Sequence, residues 1–200
     1  MRSTGSIVIL VLVLVVAFAG CTGCTTYNGL VAQDEAVEES WGNLQSTYQR
    51  RADLIPNLVR TVEGQADFER ETLNEVIEAR SRATSINLSA DDLDDPQAVE
   101  RYLEAQTALG GSLGRLLAVA ESYPSLQANE GFLQLQSQLE GTENRINTAR
   151  RDYNGVVRGY NQSVRSFPSN LFAGLFGFDR RASFEAVDGA ESAPTVDFDN

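Results

Sequence analysis

Two hundred residues suffice for one domain with appendages and a sizeable core. A net charge of −12 leaves no basic stripe to neutralise phosphates, so nucleic acid is excluded as an expected partner and anionic lipid headgroups are expected to be repelled. All 16 basic residues are Arg and His is absent, which removes the commonest general base and metal ligand and counts against ordinary hydrolase chemistry. A GC-rich coding sequence explains the missing Lys; a salt-adapted acidic surface is the sharper alternative, and the two are compatible.

The N-terminus carries a single Arg, followed by an uninterrupted apolar run at 7–19, IVILVLVLVVAFA. A charged start, an apolar core and small residues after it predict an export signal. As a helix the run spans about 20 Å, short of the roughly 30 Å hydrocarbon core. Extended through Gly20, Cys21 and the threonines, it would give a marginal transmembrane anchor, which stands as the alternative. Ala17-Phe18-Ala19 also fits ordinary signal-peptidase cleavage. Phe18-Ala19-Gly20-Cys21 resembles a bacterial lipobox, with Phe18 where Leu is usual. The expectation is a leader over 1–20, a lipid on Cys21, a tether over 21–26, and an extracytoplasmic chain, periplasmic or at the cell surface.

CTGC at 21–24 holds both cysteines. A redox motif would open a helix in a βαβ setting, which is missing. Zinc would need two further ligands that the composition does not offer. A Cys21–Cys24 disulfide would close a tiny loop and stabilise little.

Beyond Tyr27 the apolar residues recur at steps of three and four. Tyr27, Leu30, Val37, Trp41, Leu44 and Tyr48 form a first stripe, with Asp34 at the one position that should be apolar. Ile55, Leu58, Val59, Val62, Leu73, Val76, Ile77 and Ala83 form a second, and Val99, Tyr102, Leu109, Leu113, Leu116 and Ala120 a third. The fourth, from Phe132 through Leu139, Ile146, Tyr153 and Tyr160 to Phe167, is the most regular. Pro56 is expected to end the first helix, with Asp53 capping the second. Asp95 and Pro96 should start the third helix after a polar link, Tyr123-Pro124 should stop it, and Asn129 should start the fourth. Gly110, Gly111 and Gly114 suggest close helix approach. Short links between long amphipathic helices predict an all-α, antiparallel up-and-down four-helix bundle over 27–168. Residues 169–200 add an apolar segment and an acidic tail.

YNGLV (27–31), QRRADLIPNLV (49–59), LLAVAESYPSLQAN (116–129), LEGTENRINTARRDYNGVVRGYN (139–161) and FPSNLFAGLFGF (167–178) give the chain a resemblance to the LemA family over about 27–198. That resemblance implies a bacterial protein, tethered to a membrane at its N-terminus and folded as an antiparallel four-helix bundle. It implies no established enzymatic activity. A His common in relatives near Phe68-Glu69 is missing.

The acidic DDLDD (91–95) lacks the Gly turn and distal Glu of a calcium loop, and the scattered glutamates cannot make a di-iron E-x-x-H set without His. No cofactor or metal is expected. Tyr-Asn occurs at 27–28, 153–154 and 160–161. Tyr27-Asn28 and Tyr160-Asn161 are expected to meet at one end, fixing helix register by hydrogen bonds, with a ligand pocket as the lesser alternative. Arg50 and Arg51 are placed at the opposite turn as a solvated ion-pair cluster or a partner-binding tip. Leu171, Phe172, Leu175 and Phe176 form a short amphipathic pattern that either folds back on the helices or docks on a bilayer or protein. The expected function is a non-enzymatic, membrane-tethered envelope scaffold or adaptor with a protein partner. An extracytoplasmic ligand- or signal-binding module is the runner-up, and an enzyme is third, since no nucleophile–base pair appears. An exposed apolar patch over a sealed core would favour the scaffold; a cavity with converging Tyr and Asn groups would favour the ligand module.

Overall fold

The computed structural model describes residues 2–64 and 68–184, and within them leaves the side chains at 2–4, 6, 7, 15–19 and 21 undescribed. The chain is all-α, with no strand among the described residues. Helix α1 spans Arg2–Glu63, α2 Arg70–Ser85, α3 Pro96–Ala120, α4 Pro124–Gln127, α5 Glu130–Arg165 and α6 Ser169–Phe176; a 3-10 turn covers Ala90–Asp94. The α1 helix packs along α5, and α2 along α3.

The starts and stops follow local chemistry. Asp95 accepts a hydrogen bond from the Gln97 amide at 2.9 Å, and Pro96 follows at the first helical position. Asn129 accepts from the Phe132 amide at 3.1 Å and starts α5. In the polar link, Ser89 and Asp92 cap each other reciprocally while Leu93 turns into the core.

Pro56 does not end the first helix, and Asp53 does not cap a second. The α1 helix runs through both to Glu63. Proline has no N–H for the carbonyl four residues back, that of Ala52. Arg80 of α2 supplies the missing donor, its Nε lying 2.9 Å from the Ala52 oxygen. Asp53 instead accepts from Gln49 Nε2, one turn earlier in the same helix, at 2.8 Å. Leu58, Val59 and Val62 are all buried beyond the proline. At about 1.5–3 kcal/mol for each buried side chain, they outweigh the roughly 3 kcal/mol that an interior proline costs.

The core divides into two apolar clusters. One gathers Ile55, Leu58, Val76, Leu109, Leu116, Leu126 and Leu139; the other is aromatic, with Trp41, Tyr48, Tyr102, Tyr153, Tyr160 and Phe184. Between them in sequence register, on α1, α3 and α5, lie Arg51, Gln106 and Glu143. Arg51 is only 2% exposed, which corrects its expected place at an exposed turn. Its Nη1 donates to Glu143 Oε2 at 2.9 Å, and its Nη2 to the Gln106 carbonyl at 2.9 Å and to Gln106 Oε1 at 2.7 Å. Gln106 Nε2 then reaches the Ala83 carbonyl on α2 at 3.3 Å. Arg50 is exposed. Of the α3 glycines only Gly110 faces a neighbour: a Cβ there would lie 3.5 Å from Arg51 Nη1, whereas Gly111 and Gly114 look into open space. The glycine run therefore leaves room beside a guanidinium rather than bringing two backbones close.

Candidate functional site

Beyond α6 the chain turns at Gly177, whose φ of 77° is left-handed and suits glycine. Residues 178–184 then return along α5 without helical structure. Asn161 Nδ2 donates to the Arg181 carbonyl at 2.8 Å, and the Arg181 amide donates to Asn161 Oδ1 at 2.9 Å. Asn154 makes the same two-point pairing with Phe184, at 2.9 and 2.8 Å. Each side-chain amide thus satisfies one backbone N–H and one C=O, as a neighbouring strand would.

The repeat spacing explains the fit. Seven helical residues advance about 10.5 Å, and three extended residues advance about 10 Å. Asn154 and Asn161 are seven apart, their partners Phe184 and Arg181 are three apart, and the tail therefore runs antiparallel to α5. Between the two pairings, Tyr153 donates from its hydroxyl to the Ala182 carbonyl at 3.0 Å, while the Ala182 amide donates to the Leu93 carbonyl at 2.7 Å.

Two side chains anchor the returning segment. The Arg181 guanidinium meets Asp34 of α1, with Nε 3.1 Å from Oδ1 and Nη2 3.3 Å from Oδ2. Partial burial works against that charge, but Asp34, Tyr160 and Asp94 outweigh it, and the Arg181 pKa is raised. Asp34, the odd residue in the first apolar stripe, is the counter-charge for a tail that arrives much later in sequence. Phe184 enters the aromatic cluster, 4.7 Å from the Tyr153 ring and 6.1 Å from that of Trp41, centroid to centroid. Burial beside Asp34 pushes the Tyr160 hydroxyl up to about 12, and burial raises Tyr153 as well.

The α6 helix sits on α1 and α5 through buried Ala173 and half-buried Phe172. Gly23 makes room for it, since a Cβ there would come within 2.9 Å of the Phe172 ring. The Tyr27 ring meets Phe176 at 4.9 Å and Phe178 at 5.7 Å, both edge-on. The outer side stays bare: Phe167 is 81% exposed and Leu175 74%, with Leu171 and Phe176 beside them. This apolar face lies next to the stretch of α1 that directly follows the apolar run at 7–19.

A family model described as the LemA family matches residues 40–198. The chain belongs to the LemA family. Among its relatives, the magnetosome protein MamQ 2 of Paramagnetospirillum magneticum is 29% identical over 187 residues, covering 86% of this chain and 68% of that protein. The protein LemA of Metamycoplasma hominis is 26% identical over 159 residues, covering 80% and 68% respectively.

Of the residues singled out in the sequence, Tyr160 is buried and Asn161 is hydrogen bonded, but not to Tyr27-Asn28. Both ends of the Asn161 amide are taken by the tail, Tyr27 packs on α6, and Asn28 is exposed. The Tyr-Asn repeat on α5 therefore holds a tail segment rather than pairing two helix ends. Leu171, Phe172, Leu175 and Phe176 do share one helix, with Phe172 facing inward and the others outward. The Cys21 side chain and the acidic stretch 185–200 lie outside the described residues, and Cys24 is exposed and free of a disulfide. No helix among the described residues is long and apolar enough to cross a membrane. No group of three or more Cys, Asp or Glu suited to a metal ion occurs among them. The role of Arg181 was not read from the sequence. Its signal was Asp34, a lone carboxylate in an apolar stripe, which needs a cation from elsewhere.

Proposed function

We propose that this LemA-family chain is a non-enzymatic, membrane-tethered scaffold or adaptor of the bacterial envelope. In this reading its four long helices, α1, α2, α3 and α5, form an antiparallel bundle held by a lipid on Cys21. The observation that carries the reading is the bare apolar face of α6, formed by Phe167, Leu171, Leu175 and Phe176 beside Gly23 and Tyr27. A chain with a net charge of −12 has no solubility reason to present four large apolar side chains together unless they meet an apolar surface. The tether places that face at the bilayer interface, leaving the far end of the helices for a protein partner. The runner-up, a ligand module built on the Tyr-Asn pairs, loses its polar groups on α5 to the tail.

Crosslinking and pull-down from native membranes, with a Cys21→Ser control, tests the reading. It expects the chain in the membrane fraction with a protein partner, and release of the Cys21→Ser variant. Recovery of a bound small molecule with no protein partner would sink it.

A further inference from the structure

The tail and α5 enclose an open cavity of about 480 Å3 at the α6 end. Its lining brings Arg158 and Arg165 of α5 together with Arg180 of the tail, alongside Asn161, Gln162 and Ser166. Arg158 and Arg165 lie one heptad apart, about 10.5 Å along the helix. None of the three guanidinium groups has a carboxylate partner among the described residues, whose ion pairs use Arg51, Arg115 and Arg181 instead.

The surroundings are as selective as the cavity. Residues 20–33 of α1 contain no charge, and residues 156–181 contain Arg158, Arg165, Arg180 and Arg181 against a single carboxylate, Asp179. The end of the molecule that carries the bare α6 face is therefore locally cationic. The overall charge of −12 does not override this, because at physiological salt its field decays over a Debye length of about 8 Å. Three exposed guanidinium groups lining one cavity with the Gln162 amide suit a tetrahedral oxyanion, which they can hold through forked N–H pairs.

We propose that this cavity binds the phosphate of an anionic phospholipid headgroup, with the acyl chains lying against Leu171, Leu175 and Phe176. The assignment rests on the membrane-proximal placement of α6 argued above, and it reverses, for this one face, the repulsion expected from net charge. The arginines of the cavity hold the phosphate, and the bare α6 face, which follows the cavity residues Arg165 and Ser166 in the chain, offers the acyl chains an apolar surface.

Native mass spectrometry of the full-length chain in non-ionic detergent, titrated with phosphatidylglycerol or with phosphatidylcholine, tests this. Phosphatidylglycerol should bind in preference, and the combined Arg158→Gln, Arg165→Gln and Arg180→Gln variant should bind it at least about tenfold more weakly. The matching Lys variant should retain most of the binding. Should the Gln variant misfold, the single exposed change Gln162→Glu, which sets a carboxylate in the cavity, should weaken binding in the same direction. Equal binding of phosphatidylglycerol by the wild type and by folded Gln or Glu variants would overturn the proposal. Complete displacement of the lipid by inorganic phosphate would reassign the cavity to a free anion and overturn the lipid source. Membrane fractionation separates the two readings: the Gln variant should stay membrane-bound through its tether, whereas a wild-type chain that binds phosphatidylglycerol but is not membrane-attached would count against the tether alone.

Discussion

Arg181 in the returning tail and Asp34 in α1, 147 residues apart, form a two-point ion pair. With both side chains largely shielded from water, the pair is stronger than an exposed surface bridge. Asp34→Asn should cost the clasp about 1–2 kcal/mol, enough to raise the released fraction of the tail about tenfold. Trp41, the single tryptophan, reports it: Phe184 should leave its ring, and emission should shift to the red. An unshifted spectrum and unchanged proteolysis between 178 and 184 would show that the pair does not hold the tail.

The asparagine pairings predict a different pattern. Asn154→Leu or Asn161→Leu leaves one backbone N–H and one C=O of the tail without partners, at about 1–3 kcal/mol for each unsatisfied group. The tail should become sensitive to protease while far-UV circular dichroism stays unchanged. A loss of helicity instead would restore the helix-register role that the sequence suggested for Asn161.

Arg51 takes over part of that register role. Arg51→Ala would strand the Gln106 carbonyl and amide oxygen and the Glu143 carboxylate, at about 3 kcal/mol. Thermal unfolding should fall by about 10 °C. Arg50→Ala, on the exposed side, should change the midpoint little.

The Pro56 account is open to a double-mutant cycle. Arg80→Ala should cost about 1–2 kcal/mol in the natural sequence, because the Ala52 carbonyl loses its substitute donor. In a Pro56→Ala background the helix supplies its own N–H, and the same Arg80 change should cost much less. Equal costs in both backgrounds would show that the contact is incidental.

The buried tyrosines give a pH dependence. Burial beside Asp34 pushes the Tyr160 hydroxyl up to about 12 in the folded chain, against an ordinary tyrosine value of about 10. Between those values the unfolded chain has lost the proton that the folded chain keeps, so stability falls as pH rises. The contribution is fully present below pH 10 and is lost on the way to 12. Tyrosinate absorbance should therefore rise together with helix loss; ionisation of all six tyrosines in a fully helical chain would contradict it.

Most of the helical framework was legible because its signals are local. Stripes at three- and four-residue spacing gave the buried faces, and Asp95, Pro96, Tyr123 and Asn129 gave the boundaries. What failed to read locally was decided by distant partners. Pro56 resembled a stop because the donor that replaces its N–H lies on α2. Arg51 resembled a surface residue because Gln106 and Glu143 lie on α3 and α5. The Tyr-Asn repeat was visible as a periodic feature, but its target is a tail of seven residues with no periodic signal. Asp34 was noticed and could not be paired for the same reason.

The central claim is a bundle tethered through Cys21 with the α6 face at the membrane, and intact mass measurement of the mature chain from native membranes tests it most directly. The account predicts a chain that begins at a lipid-modified Cys21 and lacks residues 1–20. An unmodified Cys21, or retention of residues 1–20, would contradict it.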